Sequence, residues 1–195
     1  RNFPIRKNVL QFDDVMNKQR ETIYRQRASV LNGESLKETI LKMTESTISD
    51  AVDLFLADDE NKEDWNLKGL KVHFGGWLCD EADFNYEGRQ LEDVSKSDIR
   101  DTLISRAKEK YEQREEEIGS ELMRELERVV LLRNVDTKWM DHIDAMDELK
   151  RGISLQAYAQ RDPVVEYRMV GSDMFDEMVQ SIKEDTVKMM LTVRV

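Results

Sequence analysis

The chain has 195 residues, 36% of them Asp, Glu, Lys or Arg, and a net charge of −11. No apolar run approaches the eighteen or so residues that cross a bilayer, the single cysteine, Cys79, excludes an intrachain disulfide and points to a reducing cytoplasmic setting, and an acidic bulk argues against nucleic acid as the main partner, because that binding rests on neutralising phosphates. Two Pro and eight Gly among abundant Glu, Lys, Leu, Met and Arg predict an all-α fold, and a start at Arg without a signal-peptide pattern predicts a piece of a longer protein.

Residues 1–31 hold seven Lys or Arg against three Asp or Glu, a net of +4, so the remainder carries −15. In this basic segment Ile5, Val9, Phe12, Met16, Ile23 and Tyr24 stand near helical spacing, with Asn32-Gly33 behind them. That predicts a helix of about thirty residues with a narrow apolar stripe, lying across other elements. Ser35 with Glu38 has the pattern of a capping box, and Leu36, Ile40, Met43, Thr47, Ala51 and Phe55 continue as a helix over about 35–57. An acidic loop around Trp65 follows. "LKVHFGGWLC" alternates briefly before Gly75-Gly76 interrupts it, so it reads either as a short strand or as an irregular turn of helix. Ser95 with Asp98 marks a further N-terminus, and Ile99, Leu103, Ala107, Tyr111 and Ile118 predict a helix over about 97–118.

From Leu122 the apolar positions run Leu126, Val129, Leu132, Val135, Trp139, Ile143, Met146, Leu149 and Ile153, about 3.4 residues per step, the spacing of a helix that keeps one seam against a partner. Asp162 then stands as an N-cap with Pro163 in the first helical position. Tyr167, Gly171, Met174, Met178, Ile182, Met189 and Val193 carry a second stripe, which Gly171-Ser172 weakens and could kink. Two arms of equal length, 119–150 and 163–194, joined by a short connection predict an antiparallel hairpin. Its connection, "GISLQAYAQR" from Gly152 to Arg161, carries one charge in a chain otherwise full of them. Two readings of this tip stay open: Ile153, Leu155 and Tyr158 contact another chain, or they fold back to close the hairpin core.

Catalytic signatures are thin. No phosphate loop or dinucleotide-binding glycine turn is present, and no catalytic or metal-ligating residue is expected. His142 lies between Asp141 and Asp144, but without His-Glu-x-x-His spacing it reads as structural, and His73 with Cys79 is too sparse for zinc. The methionines at helical spacing read as core filler.

"IRKNVLQFDDVMNKQRETIYRQR", "VDTKWMDHIDAMDELKRGISLQAYAQRDPVVEY" and the spacing between them closely resemble the C-terminal region of the SecA family, the ATP-driven motors of bacterial preprotein translocation. The resemblance implies three parts: residues 1–32 as part of the long helix of the helical scaffold, 33–118 as the helical wing, and 119–195 as the two-helix finger, also described as an intramolecular regulator of ATP hydrolysis. Family members place the finger in the cytoplasmic mouth of the SecYEG channel, where its tip tyrosine, here Tyr158, contacts the moving preprotein. Ile153, Leu155, Gln156 and Arg161 flank that contact. Trp139, Met140 and His142 are candidates for regulatory packing. The family's scaffold helix packs against the nucleotide-binding and preprotein-crosslinking domains. ATP and magnesium belong to the motor domains, and zinc to the cysteine-rich tail of many members. None of those motifs lies in this stretch, so the chain alone is expected neither to bind nor to hydrolyse ATP. The implied location is the cytoplasm and the cytoplasmic face of the cell membrane, and an exposed scaffold stripe predicts self-association, with a homodimer as one form. Ser154 and Gln156 stand where the family commonly has His and Arg, so those two roles do not carry over. Two functional readings follow: a finger that pushes substrate, or a structural regulator that restrains the motor.

Overall fold

The computed structural model describes residues 3–32, 35–155 and 162–195, with the side chains of these except 3–6 and 8. The elements are α1 (Phe3–Leu31), α2 (Lys37–Phe55), a 3-10 turn (Asp59–Asp64), α3 (Leu67–Phe74), α4 (Arg89–Asp93), α5 (Lys96–Ile118), α6 (Ser120–Leu155) and α7 (Pro163–Thr192). Among the described residues there is no strand, and an isolated bridge joins Gly75 to Cys79. The fold is all-α. It divides into two compact units, each discontinuous in sequence: residues 1–34 with 128–182, and residues 35–127 with 183–195.

The first unit combines α1 with parts of α6 and α7. Phe12, Val15, Met146, Ile153, Val164 and Tyr167 form its core, with Met16, Leu149 and Met174 packed against them. The Phe12 and Tyr167 rings meet edge-on at 4.8 Å, the arrangement that aromatic quadrupoles favour. The buried stripe of α1 is only in part the one drawn from hydropathy. Phe12, Val15, Gln19, Ile23 and Val30 are buried, whereas Val9 and Tyr24 are exposed. Spacings of three and four keep the first group on one face, and Tyr24, one residue past Ile23, falls on the flank.

α6 keeps its expected stripe from Val135 through Trp139 and Met146 to Ile153 but departs from it nearer its start. Leu122 and Val129 are exposed, and Met123, Glu127, Val130, Asn134, Trp139, His142, Met146 and Ile153 are buried. Three of those positions are polar, which a hydropathy pattern passes over. Gly171 does not interrupt α7, which is helical throughout Pro163–Thr192.

The second unit rests on α2, α3 and α5, where Ile40, Ile48, Leu70, Phe74, Ile99, Leu103 and Tyr111 are almost wholly buried. The capping pattern at Ser35 is not used. Leu36 is the N-cap residue with no side-chain cap bond; it is buried, and its carbonyl accepts the Ile40 N–H at 2.9 Å. Packing thus replaces the cap. At α5 the pattern is realised: the Ser95 Oγ accepts from the Asp98 N–H, and the Asp98 carboxylate accepts from the Ser95 N–H, both at 3.0 Å.

The ambiguous "LKVHFGGWLC" is helix followed by a tight turn. Asn66 caps α3 by accepting the Gly69 N–H at 2.9 Å, and the Leu78 and Cys79 N–H groups both return to the Phe74 carbonyl at 2.9 Å. Leu70 and Phe74, four apart, supply the buried face that selects helix over strand. The turn is pinned from α5, where Arg106 makes a two-pronged pair with Asp83 at 2.5 Å and Lys110 donates to the Trp77 carbonyl at 2.9 Å. Trp65 is buried and donates through Nε1 to the Ala57 carbonyl at 2.7 Å.

α5 and α6 are separated by a single residue, Gly119, at φ +87°, a backbone state that costs other residues dearly. Ionic groups clasp this elbow. Tyr111 donates to the fully buried Glu127, the Arg124 Nε lies 2.8 Å from the other Glu127 oxygen, and Arg124 also pairs with Glu115. Lys37 of α2 completes the chain at 2.6 Å from Glu115 and 2.9 Å from Glu112.

Candidate functional site on the helical hairpin

Within the first unit, α6 and α7 run antiparallel. His142 faces Phe175 with ring centroids 5.8 Å apart, and Met146 faces Gly171. The midpoints of both pairs, 142 with 175 and 146 with 171, fall between residues 158 and 159. The second arm starts as its residues dictate: the Asp162 carboxylate accepts the Val164 N–H at 3.0 Å, its carbonyl accepts the Glu166 N–H at 3.1 Å, and Pro163 occupies the first turn. At Gly171 an added Cβ would lie 2.6 Å from Met146 Cε, so the buried end of that side chain would have to shift to admit it.

Of the tip residues, Ile153 is 4% exposed and belongs to the core, whereas Leu155 is 83% exposed. Gln156, Tyr158 and Arg161 lie outside the described residues. Ser154 donates to the Lys150 carbonyl at 2.9 Å within its own helix. Here the two open readings divide residue by residue, Ile153 inward and Leu155 outward.

Trp139 is buried, Met140 is 66% exposed, and His142 is buried. Burial pushes His142 below the ordinary imidazole range, so it is neutral near pH 7. Its ring lies 5.5 Å from that of Trp139, and its Nε2 is 2.6 Å from Gln19 Oε1. The indole also lines an open groove of about 520 Å³ with Ile23, Tyr24, Leu31 and Met140, which the Arg27–Asp136 ion pair at 2.9 Å edges.

Sequence reasoning missed Gln19 altogether. Its amide Nε2 donates to the Gly171 carbonyl at 3.2 Å while its oxygen faces His142. The signal was present: the α1 stripe steps from Met16 to Ile23, and Gln19 fills the vacant position at +3 and −4.

Among the described residues no group of three His, Cys, Asp or Glu could hold a metal ion. His73 sits 2.8 Å from Glu184, and the buried Cys79 thiol is pushed up to about 11, chiefly by burial, so it is a poor nucleophile. No helix among the described residues is long and apolar enough to cross a membrane.

What these residues define is an all-helical module: in one unit two antiparallel helices on a third, in the other a set of mostly shorter helices. The family model described as the SecA wing and scaffold domain matches residues 1–194. Chains called protein translocase subunit SecA are similar over essentially the full length: 47% identical over 195 residues in Acetivibrio thermocellus, 49% over 191 in Caldicellulosiruptor saccharolyticus and 51% over 194 in Clostridium botulinum. They cover 100%, 98% and 100% of this chain, which in turn spans 21%, 22% and 23% of theirs, about a fifth of their length. The chain belongs to the SecA wing and scaffold family.

Proposed function

We propose that this chain is the scaffold, wing and finger portion of a SecA-type preprotein translocase subunit, with residues 1–32, 33–118 and 119–195 in those three roles. The observation that carries the reading is the hairpin itself: two long arms, the second capped by Asp162, in antiparallel register and joined in sequence through the charge-poor stretch Gly152–Arg161. A rigid lever ending in side chains that hold water weakly suits contact with polypeptides of any sequence. On this reading Tyr158 touches the preprotein in the mouth of the SecYEG channel, Leu155, Gln156 and Arg161 flank it, and Ile153 anchors the tip from inside. ATP and magnesium act in the nucleotide-binding domains of the full-length protein, zinc where a cysteine-rich tail is present, and the protein works in the cytoplasm and at the cytoplasmic face of the membrane.

The test is a crosslink from Tyr158→Cys, with Cys79 replaced, in the full-length protein to a preprotein stalled in channel-containing membranes. Crosslinking that requires the channel is expected; its absence while neighbouring positions react overturns the reading.

A second reading, restraint of the motor's ATPase, is favoured by the groove beside Trp139, where Met140 stands exposed. Adding this chain to a motor core that lacks it then lowers ATP turnover, and Trp139→Ala abolishes the effect. No change at saturating concentration sinks the idea.

A further inference from the structure

Buried polar groups in the first unit's core are few, and Gln19 stands apart because it faces two other helices at once. Its amide nitrogen donates to the Gly171 carbonyl of α7 at 3.2 Å. A carbonyl can only accept, so the amide orientation is set and its oxygen is left for α6. There it lies 2.6 Å from His142 Nε2, which must donate, giving the Nε2–H tautomer of a ring that burial keeps neutral. A Cβ at position 171 would stand 3.8 Å from the Gln19 nitrogen, ordinary van der Waals contact, so the glutamine reaches a carbonyl that is closely packed around.

The apolar contacts around this chain of bonds are not selective in the same way. Phe12, Val15, Met16 and Ile23 are all apolar, so sliding α1 by one turn costs fit, including the Phe12–Tyr167 edge contact, but still sets hydrocarbon against hydrocarbon. Sliding would leave the Gln19 amide, the His142 N–H and the Gly171 lone pair facing hydrocarbon, and buried unpaired polar groups are expensive. A single polar position inside an apolar helical seam is the kind of device that sets register.

We infer that Gln19 is a register pin: its amide fixes the axial position and rotation of α1 on the α6–α7 hairpin. Resting on the finger reading above, the pin also makes displacement of the scaffold helix a displacement of the finger. It is a positioning residue and touches no substrate.

The experiment replaces the polar pair by apolar shapes. Spin labels at Leu10→Cys on α1 and Met140→Cys on α6, both exposed positions, report the distance distribution between the helices by pulsed electron resonance, with Cys79→Ser in the background. Q19L or H142F alone strands its partner and lowers the melting temperature. Q19L/H142F together recovers most of it, because apolar isosteres in place of a buried polar pair are close to neutral. The expected result is recovered stability with a distribution at least about twofold wider, or split. A stable double variant with the narrow wild-type distribution overturns the pin and assigns register to apolar shape alone. Should the double variant fail to fold, Q19M, which keeps the length of the side chain and loses both hydrogen bonds, gives the same two outcomes. In the full-length protein, preprotein moved per ATP hydrolysed is expected to fall about fivefold or more in Q19L/H142F while hydrolysis continues. A widened distribution with transport unchanged leaves the pin standing and counts against the finger reading, so the two fail separately.

Discussion

Both units bury polar side chains of the same helix, and they do so in different currencies of interaction. In the first unit α6 contributes His142, a neutral ring bonded to the neutral amide of Gln19; in the second it contributes Glu127, a buried carboxylate held by Tyr111 and Arg124. Neutral pairs repay their desolvation with a modest net gain, about 1 kcal/mol each, so they serve geometry more than stability. A buried ion cannot be left alone at that cost. Glu127 sits at a one-residue elbow and draws on Arg124, Glu115 and Lys37 from three helices, so the second unit is clasped by charge while the first is aligned by direction.

The largest test of that contrast is Glu127→Ala, which leaves the Tyr111 hydroxyl without its buried acceptor and takes from Arg124 one of its two carboxylate partners. A loss of about 3–5 kcal/mol is expected, read as a lowered urea midpoint by the fluorescence of Trp65 and Trp77, both in the second unit. A loss no larger than that of Q19L would erase the distinction. Next comes Gly171→Val, whose β-carbon lands on Met146; about 1–3 kcal/mol is expected by the signal of Trp139. Met146→Ala should then cost less in that background than in the wild type, since the two share one space.

Arg106→Ala removes both prongs from Asp83 and is expected to cost about 1 kcal/mol, the pair being partly exposed. The hydrogen bonds from Arg106 hold the Asp83 carboxyl below its ordinary value of 3.8, so the pair stabilises above about that pH and its contribution is lost as pH falls further. Acid unfolding of the second unit should therefore lose part of its steepness below pH 3.8 in this variant.

The smallest effect sets the two units in opposition. His142 is depressed by burial from 6.5, so its contribution is complete above pH 6.5 and declines as pH falls. Burial raises Glu127 above 4.5, so its neutral form favours folding and its contribution grows as pH falls towards that value. Between pH 7 and 5 the Trp139 midpoint should fall in wild type and stay flat in H142F, while the Trp65 and Trp77 midpoint holds or rises. Parallel shifts in both signals would refute the assignment.

Much of the local architecture was legible. The Ser95–Asp98 box, the Asp162-Pro163 start and the existence and approximate lengths of the long helices all appeared in the sequence and recur in the structure. The equivalent pattern at Ser35 failed because Leu36 is worth more buried than Ser35 is as a cap. The stripes on α1 and α6 held in part: Phe12, Ile23, Val135, Trp139, Met146 and Ile153 are buried as expected, while Val9, Tyr24, Leu122 and Val129 are exposed. Hydropathy ranked Val9, Tyr24, Leu122 and Val129 above Gln19, Glu127 and His142, yet the last three are the buried ones.

The division follows from the range of the interactions. Caps, turns and helix propensity act within about four residues, so the sequence alone could indicate the helix starts at Ser95 and Asp162. The buried face of each helix depends on groups far along the chain: Gln19 meets His142 across 123 positions and Gly171 across 152. Only tertiary structure could decide that a glutamine, a histidine and a glutamate belong inside, because a polar side chain becomes a core residue when its partner is brought to it.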